Sequence, residues 1–134
     1  MLSVGLNYEG SESELSCTPD CERLTAIASK CGVKDIVKIY DDGSTDLHPC
    51  IADVSQAIRE MGARCEPDDY FVFQFSGHGS NEENKDEASG YDSILCLTSR
   101  DKEDESWLDD DISALILEAA KTHSVPRTQE MAAR

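Results

Sequence analysis

The segment from Tyr70 to Ser80 constrains the fold more than any other part of the chain. It reads Y-F-V-F-Q-F-S-G-H-G-S, an aromatic and β-branched run followed at once by a histidine between two glycines. Such a run is typical of a strand with little water on either face, so we expect Tyr70 to Phe75 to form a buried strand. Gly77 and Gly79 favour a sharp turn and leave open space beside the imidazole of His78.

The place of His78, directly after a predicted strand, indicates a chemical role. Ligands of open parallel sheets bind outside the carboxyl ends of the strands. Histidine side chains titrate near neutral pH, which suits general acid–base catalysis. A structural loop histidine is the alternative that this segment alone leaves open.

The rest of the chain alternates predicted strands and helices. Two more strands are expected, Leu2 to Leu6 and Asp35 to Tyr40. Apolar residues at helical spacing predict three helices: Glu14 to Cys31, Cys50 to Met61 and Ile112 to Ala120. The polar residues 81–89 are expected to form an exposed loop. The pattern predicts one α/β domain over residues 1–121, followed by a polar tail, residues 122–134.

The net charge of the chain limits the classes of partner that it can bind. The formal net charge is −16 over 134 residues, which argues against binding to nucleic acids or anionic membranes, because both need clustered Lys and Arg. Metal ions and basic peptides remain compatible partners. No apolar run approaches the length of a transmembrane helix and no signal peptide is evident, so we expect a soluble, cytoplasmic protein.

Cysteine spacing gives little support for a metal or disulfide scaffold. The chain has six cysteines, and most are expected to be small buried apolar residues. Cys17 and Cys21 lie four residues apart, yet no histidine or second cysteine pair is nearby to complete a zinc site.

Five segments resemble motifs of the metacaspase branch of the caspase-like cysteine peptidases. They are F-S-G-H-G-S (75–80), G-L-N-Y-E-G (5–10), E-L-S-C-T-P-D-C (14–21), G-Y-D-S-I-L-C-L (90–97) and W-L-D-D-D-I (107–112). The resemblance implies a caspase-like three-layer α/β sandwich, with a mostly parallel sheet and helices on both faces. It also implies cysteine-dependent hydrolysis of peptide bonds after Arg or Lys. The chain departs from the family pattern at Leu97, where the family has proline, and at Ala88 or Ser89, where it has aspartate.

The resemblance assigns roles to three residues at this end of the predicted sheet. His78 matches the catalytic histidine, while Asp20 and Ser76 match positions that line the pocket for a basic P1 side chain. The sequence is equally compatible with a structural role, in which Asp20 is a carboxylate in the first turn of the first helix and is favoured there by the helix dipole.

Some members of the family bind an activating calcium ion. Matched residue by residue, the ligand carboxylates are Asp92, Asp109 and Asp110, and calcium accepts several such oxygens together with carbonyls and water. As an alternative, Asp109 to Asp111 serve as the N-cap and first turn of the third predicted helix.

The family's next element is a strand ending in D-C-C-H-S-G, which carries the nucleophilic cysteine. The sequence lacks that motif, and no cysteine follows Cys96. In the family, the segment that corresponds to the one around Cys96 does not carry the nucleophile. We therefore expect a fold that is incomplete, or truncated, at its C-terminus, and a chain that is inactive by itself. The alternative is a non-catalytic caspase-like module that binds calcium, basic peptides or a complementing chain.

The missing neighbour has a physical consequence for the strand Tyr70 to Phe75. One of its edges would be left with unpaired N–H and C=O groups and without proline or charge to discourage pairing. We expect self-association, or recruitment of a complementing chain, through this sheet edge.

Overall fold

The computed structural model describes residues 1–121, which form six strands and three helices. The strands are β1 (Leu2–Gly5), β2 (Val37–Tyr40), β3 (Phe73–Ser76), β4 (Gly79–Glu83), β5 (Tyr91–Thr98) and β6 (Asp104–Leu108). The helices are α1 (Thr18–Lys30), α2 (Ile51–Arg64) and α3 (Asp109–Lys121). Within this part of the chain, no helix has the length and apolar character needed to cross a membrane. The predicted polar tail, residues 122–134, lies outside the described residues.

The first sheet is parallel and has the strand order β2-β1-β3. Its middle strand β1 alternates between two buried faces. Leu2 and Val4 belong to the apolar core shared with α2, whereas Ser3 on the opposite face shares its environment with Cys21 of α1. Helices therefore cover both faces of this sheet, which confirms the α/β class and the parallel pairing predicted from sequence.

The aromatic strand is less buried than its composition predicted. β3 begins at Phe73, all four of its residues are half-buried, and the preceding Tyr70 and Val72 are 87% and 47% exposed. The expectation of a strand shielded on both faces was wrong here because, among the described residues, β3 pairs with β1 alone. Phe73 and Phe75 pack against the core, while Tyr70 and Val72 precede the part of the strand that is paired in register.

A second sheet, antiparallel with the order β4-β5-β6, was not predicted. The exposed loop expected for residues 81–89 is wrong over its first part, because β4 continues to Glu83. All five residues of β4 are exposed and none is apolar and large, so its sequence shows no alternation. The strand forms through backbone pairing with β5. The described residues therefore form one parallel and one antiparallel sheet, and the predicted parallel pairing holds for β2-β1-β3.

The two helices α2 and α3 join the two sheets into one core. Gly62 of α2 allows close contact, since a Cβ there would lie 2.6 Å from the Cβ of Ala119 on α3. Trp107, Ile112 and Leu115 continue the same apolar cluster toward the second sheet. The third helix begins at Asp109 rather than at Ile112, because the three aspartates of its first turn interact favourably with the helix dipole.

Candidate functional site

His78 lies where the chain passes from the first sheet to the second. β3 ends at Ser76, the backbone turns at Gly77, and β4 begins at Gly79. A Cβ on residue 77 would lie 2.7 Å from the hydroxyl oxygen of Tyr8 and 2.8 Å from the ring of Phe75, so only glycine fits without displacing them. The predicted placement of the histidine at the carboxyl end of the strand is therefore what the structure has.

The imidazole of His78 is held from two sides. Its Nε2 lies 2.7 Å from the main-chain oxygen of Ser13, and its ring centroid lies 4.8 Å from that of Tyr8. A carbonyl oxygen only accepts hydrogen bonds, so Nε2 carries the proton and donates it. In the neutral ring, Nδ1 is then the nitrogen that accepts a proton from a reacting group.

Tyr8 connects His78 to the second sheet. Its hydroxyl donates to the carbonyl of Cys96 at 2.7 Å and accepts from the backbone N–H of His78 at 2.8 Å. Burial raises the pKa of Tyr8 well above its ordinary value, although the hydrogen bond from His78 opposes the rise. The phenol therefore stays protonated at physiological pH and keeps its hydrogen available to Cys96.

Asp41 and Asn7 hold the turn that carries Tyr8. The backbone N–H groups of Asn7 and Tyr8 donate to the two oxygens of Asp41 at 2.8 and 2.9 Å. The side-chain oxygen of Asn7 accepts from the N–H groups of Cys17 and Thr18, which caps the start of α1. The same turn thus positions both Tyr8 and the helix that bears Asp20.

Asp20 and Ser76 lie on the α1 side of the first sheet, but their environments differ. Asp20 is in the first turn of α1, where its side chain is 61% exposed and its carboxylate pairs with Arg23 at 2.8 Å. Ser76 is half-buried at the end of β3, next to Cys21 of α1. Both interpretations of Asp20 fit this placement, because a first-turn carboxylate pointing into water is also available to a cation.

Three carboxylates converge at the end of β5 farther from Tyr8. One oxygen each from Glu87, Asp92 and Asp110 lies within 4.8 Å of the others. The structure thus brings Asp92 and Asp110 together and adds Glu87. Asp109 is not part of this group; its oxygen accepts the backbone N–H of Asp110 at 3.0 Å.

Burial disfavours a reactive thiolate at several cysteines in the described part of the chain. Burial raises the pKa of the thiols of Cys21, Cys65 and Cys96, which disfavours their thiolates. Cys50 is buried, and its sulfur accepts the backbone N–H of Asp53 at the start of α2. The expectation that most of the cysteines are buried was wrong, because only Cys21 and Cys50 are buried and Cys31 is exposed.

Comparison with known proteins decides the family. A family model described as the metacaspase, peptidase C14 domain matches residues 1–125. The chain belongs to the metacaspase family. Curated relatives include metacaspase-1A of Neurospora crassa, 31% identical over 70% of this chain, and metacaspase-3 of Arabidopsis thaliana, 30% identical over 90% of it. The chain spans only 22% and 36% of the lengths of these two relatives.

A solved structure supports the same architecture. The crystal structure of a protein from Geobacter sulfurreducens superposes with a TM-score of 0.62 at 28% identity, covering 85% of this chain and 42% of the other. The metacaspase chain therefore has a caspase-like α/β fold and belongs to the peptidase C14 family, as its motifs predicted.

Three groups of the site were not assigned from sequence. Tyr8 could have been assigned from sequence, because it belongs to the G-L-N-Y-E-G segment that resembles a family motif. The sequence has no signal for Ser13, which acts through its main chain. Nor does it distinguish Glu87 from the other acidic residues of the loop between β4 and β5.

Proposed function

We propose that this chain supplies the histidine-bearing half of a cysteine endopeptidase site that cleaves after Arg or Lys. The observation that carries the proposal is the imidazole of His78, fixed through Nε2 to the Ser13 carbonyl with Nδ1 left to accept a proton. In this role, Nδ1 removes the proton of a cysteine thiol, and the thiolate attacks the scissile carbonyl. The imidazolium then donates its proton to the leaving amine.

The free edge of β3 is where a strand carrying the nucleophilic cysteine would pair. Neighbouring strands lie about 4.8 Å apart, so a parallel strand added at this edge would end beside His78. Among the described residues, no strand pairs with that edge. A strand carrying the family's D-C-C-H-S-G motif is the neighbour that the proposal requires.

The proposed specificity for a basic P1 side chain rests on the negative charge of Asp20. The exposed carboxylate of Asp20 attracts a guanidinium or ammonium group, and Arg23 occupies it in the free chain. The hydroxyl of Ser76, at the end of β3, would accept a hydrogen bond from the same group. We expect Asp20→Asn to lower cleavage after Arg and Lys more than cleavage after uncharged residues.

Calcium is the proposed cofactor, at Glu87, Asp92 and Asp110. Three converging carboxylates fit a hard cation that takes six or more oxygens, with carbonyls and water completing the shell. In residues 1–120, no Lys or Arg forms an ion pair with these groups, so no side-chain cation already balances their charge. When bound, calcium would tie the loop after β4 to the first turn of α3.

Reconstitution tests the peptidase proposal. The chain is co-purified with a second polypeptide that carries the D-C-C-H-S-G strand and the half-domain that follows it, and fluorogenic Arg, Lys and Asp peptides are compared. We expect cleavage after Arg and Lys only with both polypeptides. His78→Ala should abolish it, whereas His48→Ala, a histidine hydrogen-bonded to Thr98, should retain it.

The chain without its complement should leave all these peptides intact, with or without calcium. Turnover by the purified chain that disappears in His78→Ala would contradict this. A reconstituted complex that labels with a thiol probe, yet turns over equally with His78→Ala, would overturn the proposed role of His78.

A second candidate function is a non-catalytic module that captures a complementing strand. The free edge of β3, with Tyr70 and Val72 exposed beside it, favours this function for the chain by itself. It predicts association with the second polypeptide that is unaffected by His78→Ala.

A further inference from the structure

His78 and Cys96 stand opposite each other at the start of the second sheet. The register pairs Gly79 with Leu95, which places His78 against Cys96 one step earlier. The N–H of Cys96 donates directly to the carbonyl of His78 at 3.0 Å. In an ordinary antiparallel pair of this kind, the second hydrogen bond would join the N–H of His78 to the carbonyl of Cys96.

The hydroxyl of Tyr8 stands in place of that second bond. It accepts from the N–H of His78 at 2.8 Å and donates to the carbonyl of Cys96 at 2.7 Å. The two strands are therefore separated at His78 by one oxygen atom, while both backbone groups keep a partner. This separation allows the backbone of residue 78 to leave β5 and to join β3 of the other sheet.

The remaining contacts of Tyr8 show that the hydroxyl is held firmly in this position. Tyr8 adopts a φ of 53°, which is uncommon for a residue with a side chain, and its N–H is bonded to Asp41. Its ring packs on the imidazole of His78, and Gly77 leaves room for its hydroxyl.

We infer that Tyr8 is a positioning residue for His78, which sets both the backbone of the histidine and the orientation of its imidazole. The hydroxyl fixes the main chain between the two sheets, and the ring supports the imidazole while Nε2 donates to Ser13. Tyr8 touches neither nucleophile nor peptide in this role. The inference rests on the proposed catalytic role of His78, but its test does not depend on turnover.

The test uses the 134-residue chain, labelled with ¹⁵N, and compares Tyr8→Phe with the control Tyr70→Phe, whose tyrosine is 87% exposed. Tyr8→Phe keeps the ring and removes only the bridging oxygen. We expect amide exchange at His78 to become about tenfold faster, as loss of one ordinary hydrogen bond produces. The loosened main chain should also carry the imidazole away from the Ser13 carbonyl, although the ring at residue 8 is kept. We therefore expect the fraction of the Nε2–H tautomer, read from the imidazole nitrogen shifts, to fall. Tyr70→Phe should change neither.

Faster amide exchange with an unchanged tautomer fraction would show that Tyr8 acts on the backbone alone, and this would overturn the inference. No change in either the exchange rate or the tautomer fraction would also overturn it. If Tyr8→Phe does not fold, the unaltered chain decides the question. A protected His78 amide, with nuclear Overhauser effects from the Tyr8 ring to the imidazole, would support the inference. An amide exchanging at the rate of an open loop would refute it. Because these signals come from His78 itself, a failed peptidase proposal would leave them unaffected.

Discussion

Replacing Glu87 with glutamine separates a calcium site from a chance group of acidic side chains. The oxygens of Glu87, Asp92 and Asp110 lie within 4.8 Å of one another. Two unit charges at that separation repel by about 1 kcal/mol in water. The value for water applies because Glu87 and Asp110 are exposed. At 0.15 M salt the Debye length is about 8 Å, so screening lowers each repulsion to about 0.5 kcal/mol. Without calcium, Glu87→Gln removes two of the three repulsions, so at this ionic strength it should stabilise the chain by about 1 kcal/mol.

Calcium should reverse the order of stability. A cation that binds only the folded chain adds about 2.7 kcal/mol when present at about 100 times its dissociation constant. Glu87→Gln removes a charged ligand and should lose more than half of that gain. The variant is therefore more stable than the parent in chelator and less stable in calcium.

Urea unfolding followed by circular dichroism, in chelator and at several calcium concentrations, measures both effects. The matched control is Asp109→Asn, which keeps an oxygen to accept the N–H of Asp110 and should respond to calcium as the parent does. Equal gains in the parent and in Glu87→Gln would refute the ligand set drawn from the structure. If Asp109→Asn alone lost the gain, the set drawn from family resemblance would be the correct one.

Three further outcomes are expected. Burial raises the pKa of Tyr8 above its ordinary value of 10.0, so the contribution of Tyr8 to stability is complete below pH 10 and is lost as pH rises further. Tyr8→Phe should therefore flatten the fall in unfolding free energy above pH 10. Parallel curves of unfolding free energy against pH for the parent and the variant would contradict this. Val72→Lys places a charge beside the free edge of β3 and should reduce self-association in sedimentation experiments; a parent chain that is monomeric at every salt concentration would contradict this. Gly62→Ala gains helix propensity but forces a Cβ to 2.6 Å from that of Ala119, so it should cost about 1–3 kcal/mol in urea unfolding; a more stable variant would show that α2 and α3 can separate.

Local patterns in the sequence were sufficient for the parts of the fold that depend on near neighbours. Helical spacing predicted α1 and α2, although α1 begins at Thr18, with Pro19 in its first turn, rather than at the predicted Glu14. The strand-then-glycine pattern located His78, because an aromatic run that stops at two glycines indicates a strand end followed by a turn. The motifs also identified the family, since each combines a strand end or helix start with a polar group of defined chemistry.

Burial and long-range contacts were decided only by the tertiary structure. Whether β3 is buried depends on how many strands flank it, which its own aromatic residues do not encode. β4 has no apolar side chain to bury and forms because the backbone of β5 pairs with it. The hydrogen bond from Nε2 of His78 to Ser13 is accepted by a main-chain oxygen, so the side chain at residue 13 does not predict it. Glu87 joins Asp92 and Asp110 because β5 and α3 bring distant segments together, and proximity of this kind is a property of the folded chain alone.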